Sequence, residues 1–208
     1  MKSCIILCGG RGTRMGRDKG SIILDRKPLI MHLIHNLNDF FDEILIILRN
    51  EEQIEFYKKI IGKKDHSHSK VKFLKDEIPG KGPLVGIMTG LSRIKSDYAL
   101  VLPCDSPFVT KSFLNNIYQW YEIGKLNQNS GYKYDSIIPQ WDNGNIEPLH
   151  AIYNKEAVPE IEKLIKTGYN DVKSLSKYLK IKYVNVENLD NSKASFKNIN
   201  RPEDITSS

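Results

Sequence analysis

The stretch Gly9-Gly10-Arg11-Gly12-Thr13-Arg14-Met15-Gly16-Arg17-Asp18-Lys19 places four glycines among four basic side chains. Glycine lets a backbone bring its N–H groups close to a ligand, and Arg11, Arg14, Arg17 and Lys19 add positive charge to the same loop. Close N–H donors combined with clustered cations suit a run of phosphates. Two familiar phosphate loops fit poorly. A P-loop needs Gly-Lys-Ser/Thr, whereas Lys19 lacks the preceding glycine and is followed by Gly20. A dinucleotide fingerprint needs Gly-x-Gly-x-x-Gly opening a helix, and here the spacing is Gly10-x-Gly12-x-x-x-Gly16.

Other candidates lie further along. Asp105 follows an apolar run and is flanked by Pro103 and Pro107. A carboxylate there, facing a phosphate loop, is a natural Mg²⁺ ligand, since Mg²⁺ takes one or two carboxylates plus phosphate oxygens. The same aspartate could instead cap the following helix. Lys19 would neutralise charge on a triphosphate as its bridging bond breaks. Asp76 could accept hydrogen bonds from a base or ribose or simply begin a turn, and Asn50 offers a similar choice. Glu147 before Pro148, with His150 in an apolar stretch, suggests a polar face, although a strand histidine can equally be a satisfied core residue. Asn198 and Asn200 alternate around Ile199, so both carboxamides point one way from an extended segment, able to read a ring edge or to stabilise the turn before Pro202.

These residues need a scaffold to bring them together. Cys4–Cys8, Glu43–Leu48, Val71–Leu74 and Tyr98–Leu102 are short apolar runs of the kind that form parallel strands covered on both faces. Helical periodicity separates them at 28–39, 51–61, 84–95 and 111–123. Strand patterns return at 136–139, 149–153 and 183–186, with helical stretches near 155–167 and 171–179. The alternation predicts an α/β fold, a mostly parallel sheet with helices on both faces. In such sheets ligands sit at the carboxyl ends of strands. Gly9–Lys19, Asn50, the Asp76–Pro83 loop and Asp105 all fall there.

At 208 residues and 40% hydrophobic composition the chain is long enough for one well-packed domain, with no repeat or linker dividing it. No apolar run is long enough to span a bilayer and the first residues lack a signal pattern, so a cytoplasmic location without membrane attachment is expected. Cys4, Cys8 and Cys104 form no Cys-x-x-Cys pair, which favours reduced buried thiols. The net charge of +6 is spread along the chain and suits an anionic substrate, without the aromatic interleaving of a nucleic-acid binder. His66 and His68 lack companions for a metal site and read as part of a hydrated loop over 62–70.

Five stretches together resemble the molybdenum cofactor guanylyltransferase family. They are Leu7-x-Gly9-Gly10-x-x-x-Arg14-Met15-Gly16-x-Asp18-Lys19, Gly82-Pro83-Leu84-x-Gly86, Pro103-Cys104-Asp105-x-Pro107, Glu147-Pro148-Leu149-His150-Ala151-x-Tyr153, and Phe196-x-Asn198-Ile199-Asn200-x-Pro202-Glu203-Asp204. The first three are shared with related pyrophosphorylases, and the last two point more narrowly to the molybdenum branch. The resemblance implies a Rossmann-like nucleotidyltransferase fold and transfer of GMP from GTP to molybdenum- or tungsten-loaded molybdopterin, with Mg²⁺ as cofactor and pyrophosphate as product. It implies that Leu7, Cys8, Gly9, Gly10, Arg14 and Lys19 serve the GTP phosphates, Asn50 and Asp76 the guanosine, and Asp105 the metal. Glu147, His150, Asn198 and Asn200 fall on the pterin side. Proteins that deliver the pterin or take up the product are further partners that such a role admits.

The chain departs from the family in carrying Cys8 where a small alanine is usual, and 62–70 and 124–133 read as surface insertions. The expected organisation is a single domain with a nucleotide-binding half, 1–123, and an acceptor half, 134–208. Alternatives are a molybdopterin cytidylyltransferase, a sugar-phosphate nucleotidyltransferase, or a regulatory module that binds GTP without turning it over.

Overall fold

The structure, a computed structural model, describes residues 1–8, 18–62, 70–78, 82–126, 134–169, 171–199 and 204. The candidate residues Gly9, Gly10, Arg14 and Asn200, and likewise His66 and His68, lie outside the described residues.

The strands are β1 (Ser3–Leu7), β2 (Ile23–Leu24), β3 (Lys27–Pro28), β4 (Glu43–Leu48), β5 (Val71–Lys75), β6 (Tyr98–Pro103), β7 (Ser136–Gln140), β8 (Ala151–Asn154) and β9 (Ile181–Asn185). The helices are α1 (Leu29–Leu37), α2 (Glu51–Ile61), α3 (Pro83–Arg93), α4 (Lys111–Leu126), α5 (Val158–Lys166) and the short α6 (Val186–Leu189). Seven strands form one sheet in the order β5-β4-β1-β6-β8-β7-β9. Within it β1 pairs in parallel with β4 and β6, β4 with β5, and β7 with β9. Only β8 runs against its neighbours, β6 and β7.

The apolar runs are continuous because both faces of the sheet are covered. Cys4, Ile6, Ile44, Ile46, Leu48, Leu100 and Leu102 share a core with α1, α2 and α4. Their alternates Ile5, Leu45, Ile47, Ala99 and Val101 pack on the opposite side with α3 and α5. Helix α3 lies very close to β1: a Cβ added at Gly90 would come within 2.7 Å of Ile5 Cδ1, so the contact depends on having no side chain there.

Three details differ from the sequence expectation. The piece after Ile22 is a hairpin of β2 and β3, turned by Asp25 and Arg26 with φ of 45° and 66°. That is the left-handed geometry of a tight two-residue hairpin, which the flanking strand twist favours even without glycine. The stretch 171–179 forms a 3-10 helix over Val172–Lys177, opened by Asp171, whose carboxylate accepts from Ser174 N at 2.9 Å. The last strand begins earlier, at Ile181, because pairing with β7 aligns Ser136 with Ile181.

Candidate active site at the carboxyl rim

The parallel register aligns Leu7 with Ile47 and with Pro103, and Leu48 with Lys75. Cys8, Asn50, Asp76 and Asp105 therefore leave adjacent strands on the same edge. Being antiparallel, β8 starts at that edge rather than ending there, with Ala151 opposite Val101. This brings His150, which lies in the turn preceding β8 rather than inside the strand, to the same rim.

Lys19 and Asp105 meet across the rim, Nζ to Oδ2 at 2.8 Å. The lysine side chain is 45% exposed and the aspartate 8%. A half-exposed ammonium beside a sheltered carboxylate suits a ligand that carries both anionic oxygens and a divalent cation. Among the described residues no group of three or more His, Cys, Asp or Glu could hold a metal. A single sheltered carboxylate is a donor set that fits a divalent cation completed by oxygens of a bound ligand.

Lys19 is set by a buried polar hub that the sequence reading overlooked. Asp18 accepts from Tyr57 Oη on one carboxylate oxygen and from Gln53 Nε2 on the other. Gln53 Nε2 also donates to Cys8 O at 3.0 Å, and its Oε1 accepts from Arg49 N at 2.7 Å. One side chain therefore joins the end of β1, the exit of β4 and the residue before Lys19. Burial and then the neighbouring thiols and Asp18 push the Tyr57 phenol upward, so it stays protonated and donates. The signal was present: Gln53 occupies the apolar stripe that continues through Tyr57 and Ile61, where a polar residue needs a reason.

Gly20 lies against this hub, and a Cβ there would overlap Tyr57 Oη. Gly20→Ala should displace the Lys19 turn and lower kcat/KM by about 10²-fold, the scale of an ångström misplacement. Steady-state kinetics would check this. Adding Tyr57→Phe should relieve most of the overlap, leaving ring carbons 3.3 Å from the new Cβ, so Gly20→Ala should cost much less in a Tyr57→Phe background than in the wild type.

Asn50 caps α2, its Oδ1 accepting from Gln53 N at 3.0 Å. Asp76 is buried at the end of β5. Its Oδ1 accepts from Thr89 Oγ1 on α3 at 3.3 Å. Burial raises its carboxyl above the ordinary value, against the Thr89 hydroxyl and the amides of Ile78 and Glu77. Both residues lie on the rim and are tied to their own scaffold. Burial and the adjacent Cys104 push the Cys8 thiol upward; Cys4, Cys8 and Cys104 are all free and buried.

On the other side of Asp105 the chain closes up. Ile199 N donates to Asp105 O at 2.9 Å. Ser106 Oγ donates to Asn198 Oδ1 at 2.6 Å and lies 3.0 Å from His150 Nε2. His150 is 1% exposed. Burial lowers its pKa to about 4, against a weaker upward pull from the Ser195 main chain, so the ring is neutral. Its Nδ1 makes no hydrogen bond among the described residues and lies 3.8 Å from Glu147 Oε2. Glu147 Oε1 accepts from Trp141 Nε1 at 2.8 Å. Asp190 anchors the segment that carries Asn198, accepting from Ser195 N and Oγ and from Thr110 Oγ1. Lys19, Asp105, Ser106, His150 and Asn198 thereby form one connected set.

A mostly parallel sheet of this order, with cation and carboxylate facing each other at the centre of its rim, is the architecture of an enzyme that handles nucleotide phosphates. Residues 4–183 match the family model described as a MobA-like NTP transferase domain. The chain belongs to that family and is a nucleotidyltransferase. It is 38% identical over 205 residues to a protein of Methanothermobacter thermautotrophicus named "Probable molybdenum cofactor guanylyltransferase", covering 99% of this chain and 98% of the relative. A protein of the same name from Methanocaldococcus jannaschii is 34% identical, with 97% and 95% covered. The crystal structure of molybdopterin-guanine dinucleotide biosynthesis protein A from Archaeoglobus fulgidus superposes with a TM-score of 0.76 at 28% identity, covering 100% of this chain and 96% of that one. Among the described residues no helix is long and apolar enough to cross a membrane.

Proposed function

We propose that this chain transfers GMP from GTP to the terminal phosphate of molybdopterin carrying molybdenum or tungsten, giving the guanine dinucleotide cofactor and pyrophosphate. The observation that carries the reading is the Lys19–Asp105 pair at 2.8 Å, joined through Ser106 to Asn198. It couples phosphate chemistry to an acceptor-side carboxamide. The names of the full-length relatives support the choice of substrates.

In this mechanism an oxygen of the acceptor phosphate attacks the α-phosphorus of GTP in line. The bond from the α-phosphorus to the bridging oxygen breaks, and pyrophosphate leaves with that oxygen. The nucleophile is already an anion at neutral pH, so no general base is needed and orientation and charge stabilisation dominate. Lys19 lies against the phosphates and offsets the charge that develops on the leaving group. Asp105 would hold Mg²⁺, which would polarise the phosphate oxygens. In this reading Leu7, Cys8, Gly9, Gly10 and Arg14 would serve the GTP phosphates, Asn50 and Asp76 the guanosine, and Glu147, His150, Asn198 and Asn200 the pterin, roles supported by the family resemblance of the chain. Residues 1–123 act as the nucleotide half and 134–208 as the acceptor half.

Pyrophosphate release, measured for each NTP with Mg²⁺ and with or without metal-loaded molybdopterin, tests the reading. Release is expected with GTP and only when the pterin is present. Release with CTP instead would assign the cytidylyl reaction, and GTP binding without release under any condition would leave a regulatory module.

A further inference from the structure

The register of β1 and β6 runs one step beyond the strands themselves. Cys8 N donates to Ile47 O at 3.0 Å and Cys104 N to Leu7 O at 3.2 Å, so Cys8, leaving β1, stands beside Cys104, leaving β6. Both side chains enter the core shared with α1, α2 and α4, and the two thiols are hydrogen-bonded to each other. Cys4 enters the same core four residues earlier, about 13 Å back along the strand. It is fully buried, whereas Cys8 and Cys104 keep 3% and 6% of their surface at the rim. Each member of the pair is tied to the site. Cys104 directly precedes Asp105, and Cys8 O accepts from Gln53 Nε2, which also holds the Asp18 carboxylate before Lys19.

Strand spacing decides what such a pair can do. Neighbouring strands lie about 4.8 Å apart. A disulfide accepts Cα atoms at about 4.4–6.8 Å but needs its Cβ atoms near 3.8 Å. Side chains that leave in-register strands side by side start at about the strand spacing, so closing the bond draws the two strand ends together by about 1 Å. We propose that Cys8 and Cys104 form a reversible disulfide that disables the active-site rim on oxidation by a peroxide. One thiol attacks the peroxide, breaks its O–O bond and becomes a sulfenic acid as one water leaves. The second thiol then displaces the hydroxyl as a second water, and the S–S bond forms. Two protons and two electrons pass from the thiols to the peroxide. The effect on turnover rests on the roles proposed for Lys19 and Asp105, because a misplacement of about 1 Å between groups that must align costs about 10²-fold. Burial keeps the Cys8 thiol protonated, so closure is slow and takes sustained exposure to the oxidant. A bond that holds the strand ends closer than their natural spacing is readily reduced by a small dithiol, which makes the change reversible.

The test is to expose the full chain to hydrogen peroxide for hours and then remove the oxidant. Peptide mass spectrometry without reductant should find the segment holding Cys8 joined to the segment holding Cys104, lighter by two hydrogens. Pyrophosphate release should fall about 10²-fold and return with dithiothreitol. Cys4→Ala should give the same cross-link and the same loss, which excludes Cys4 as the partner. Cys104→Ala should show no cross-link and keep its own untreated turnover through the same exposure. If both thiols stay reduced in the folded chain while the guanidinium-unfolded chain cross-links, the proposal is overturned. A complete cross-link with unchanged release, or an equal loss of release in Cys104→Ala, would overturn it as well. Untreated protein that releases no pyrophosphate with any NTP would instead remove the proposed reaction, and the cross-link map would still decide the pair.

Discussion

Asp105→Asn should lower kcat by about 10²- to 10³-fold, the scale of losing one preorganised electrostatic partner of a phosphoryl transition state. The substitution keeps the shape of the side chain and removes the charge. The fold should survive, since the partner ammonium of Lys19 is 45% exposed and is rehydrated when the pair is lost. The loss should come with a higher Mg²⁺ requirement, seen when pyrophosphate release is followed against metal concentration. Lys19→Ala should give a comparable loss in kcat that added Mg²⁺ does not restore. Because the two side chains touch, the double variant should lose less than the product of the single losses. Near-normal turnover in a folded Asp105→Asn protein would end the metal assignment.

Glu43→Ala should cost about 3 kcal/mol of stability, since it strips partners from a buried cluster far from the chemistry. The Glu43 carboxylate is 2% exposed and accepts from Lys72 Nζ at 2.8 Å, Ser3 Oγ at 3.0 Å and Lys95 N at 3.0 Å. It clamps the starting ends of β1, β4 and β5 to the loop after α3. Burial raises its pKa, but the Lys72, Lys95 and Ser3 contacts outweigh burial and leave it below the ordinary value of 4.5. The sign follows: with the folded value below the unfolded one, the contribution is complete above about pH 4.5 and is lost as pH falls through the folded pKa. Thermal melts should show Tm falling by about 6–12 °C for Glu43→Ala at neutral pH. Glu43→Gln should flatten the acid limb of the wild-type profile. An acid limb identical to wild type in Glu43→Gln would place the titration elsewhere.

The centre of the parallel half was legible because β1, β4 and β6 are buried on both faces, so the runs from Cys4, Glu43 and Tyr98 are uninterrupted. The direction of β8 was not legible. Ala151–Asn154 is as apolar as its neighbours, and reversal depends on pairing partners that periodicity does not encode. Asp105 could be picked out because it breaks an apolar pattern at a strand end, and Lys19 because it belongs to a glycine-rich basic loop; the structure does bring these two together. Asn50 and Asp76 broke the same pattern, but their side chains also serve a helix cap and a bond to α3. Gln53, Tyr57 and Ser106 were missed. Their importance lies in contacts distant in sequence: Gln53 to Cys8 and Asp18, and Ser106 to His150 and Asn198. A polar residue on the buried stripe of α2 was the one cue available.

The reversed strand also shapes how the chain reaches this state. Its place between β6 and β7 means that β6 has no partner on one side until residues up to Asn154 are present. During synthesis the amino-terminal strands can assemble first, leaving the backbone donors and acceptors of β6 exposed in the middle of the future sheet. An open edge of that kind invites pairing with other chains. Any fragment ending before Ala151 keeps that edge permanently, so truncation within α4 or the segment after it yields an aggregation-prone species and not a minimal nucleotide-binding unit.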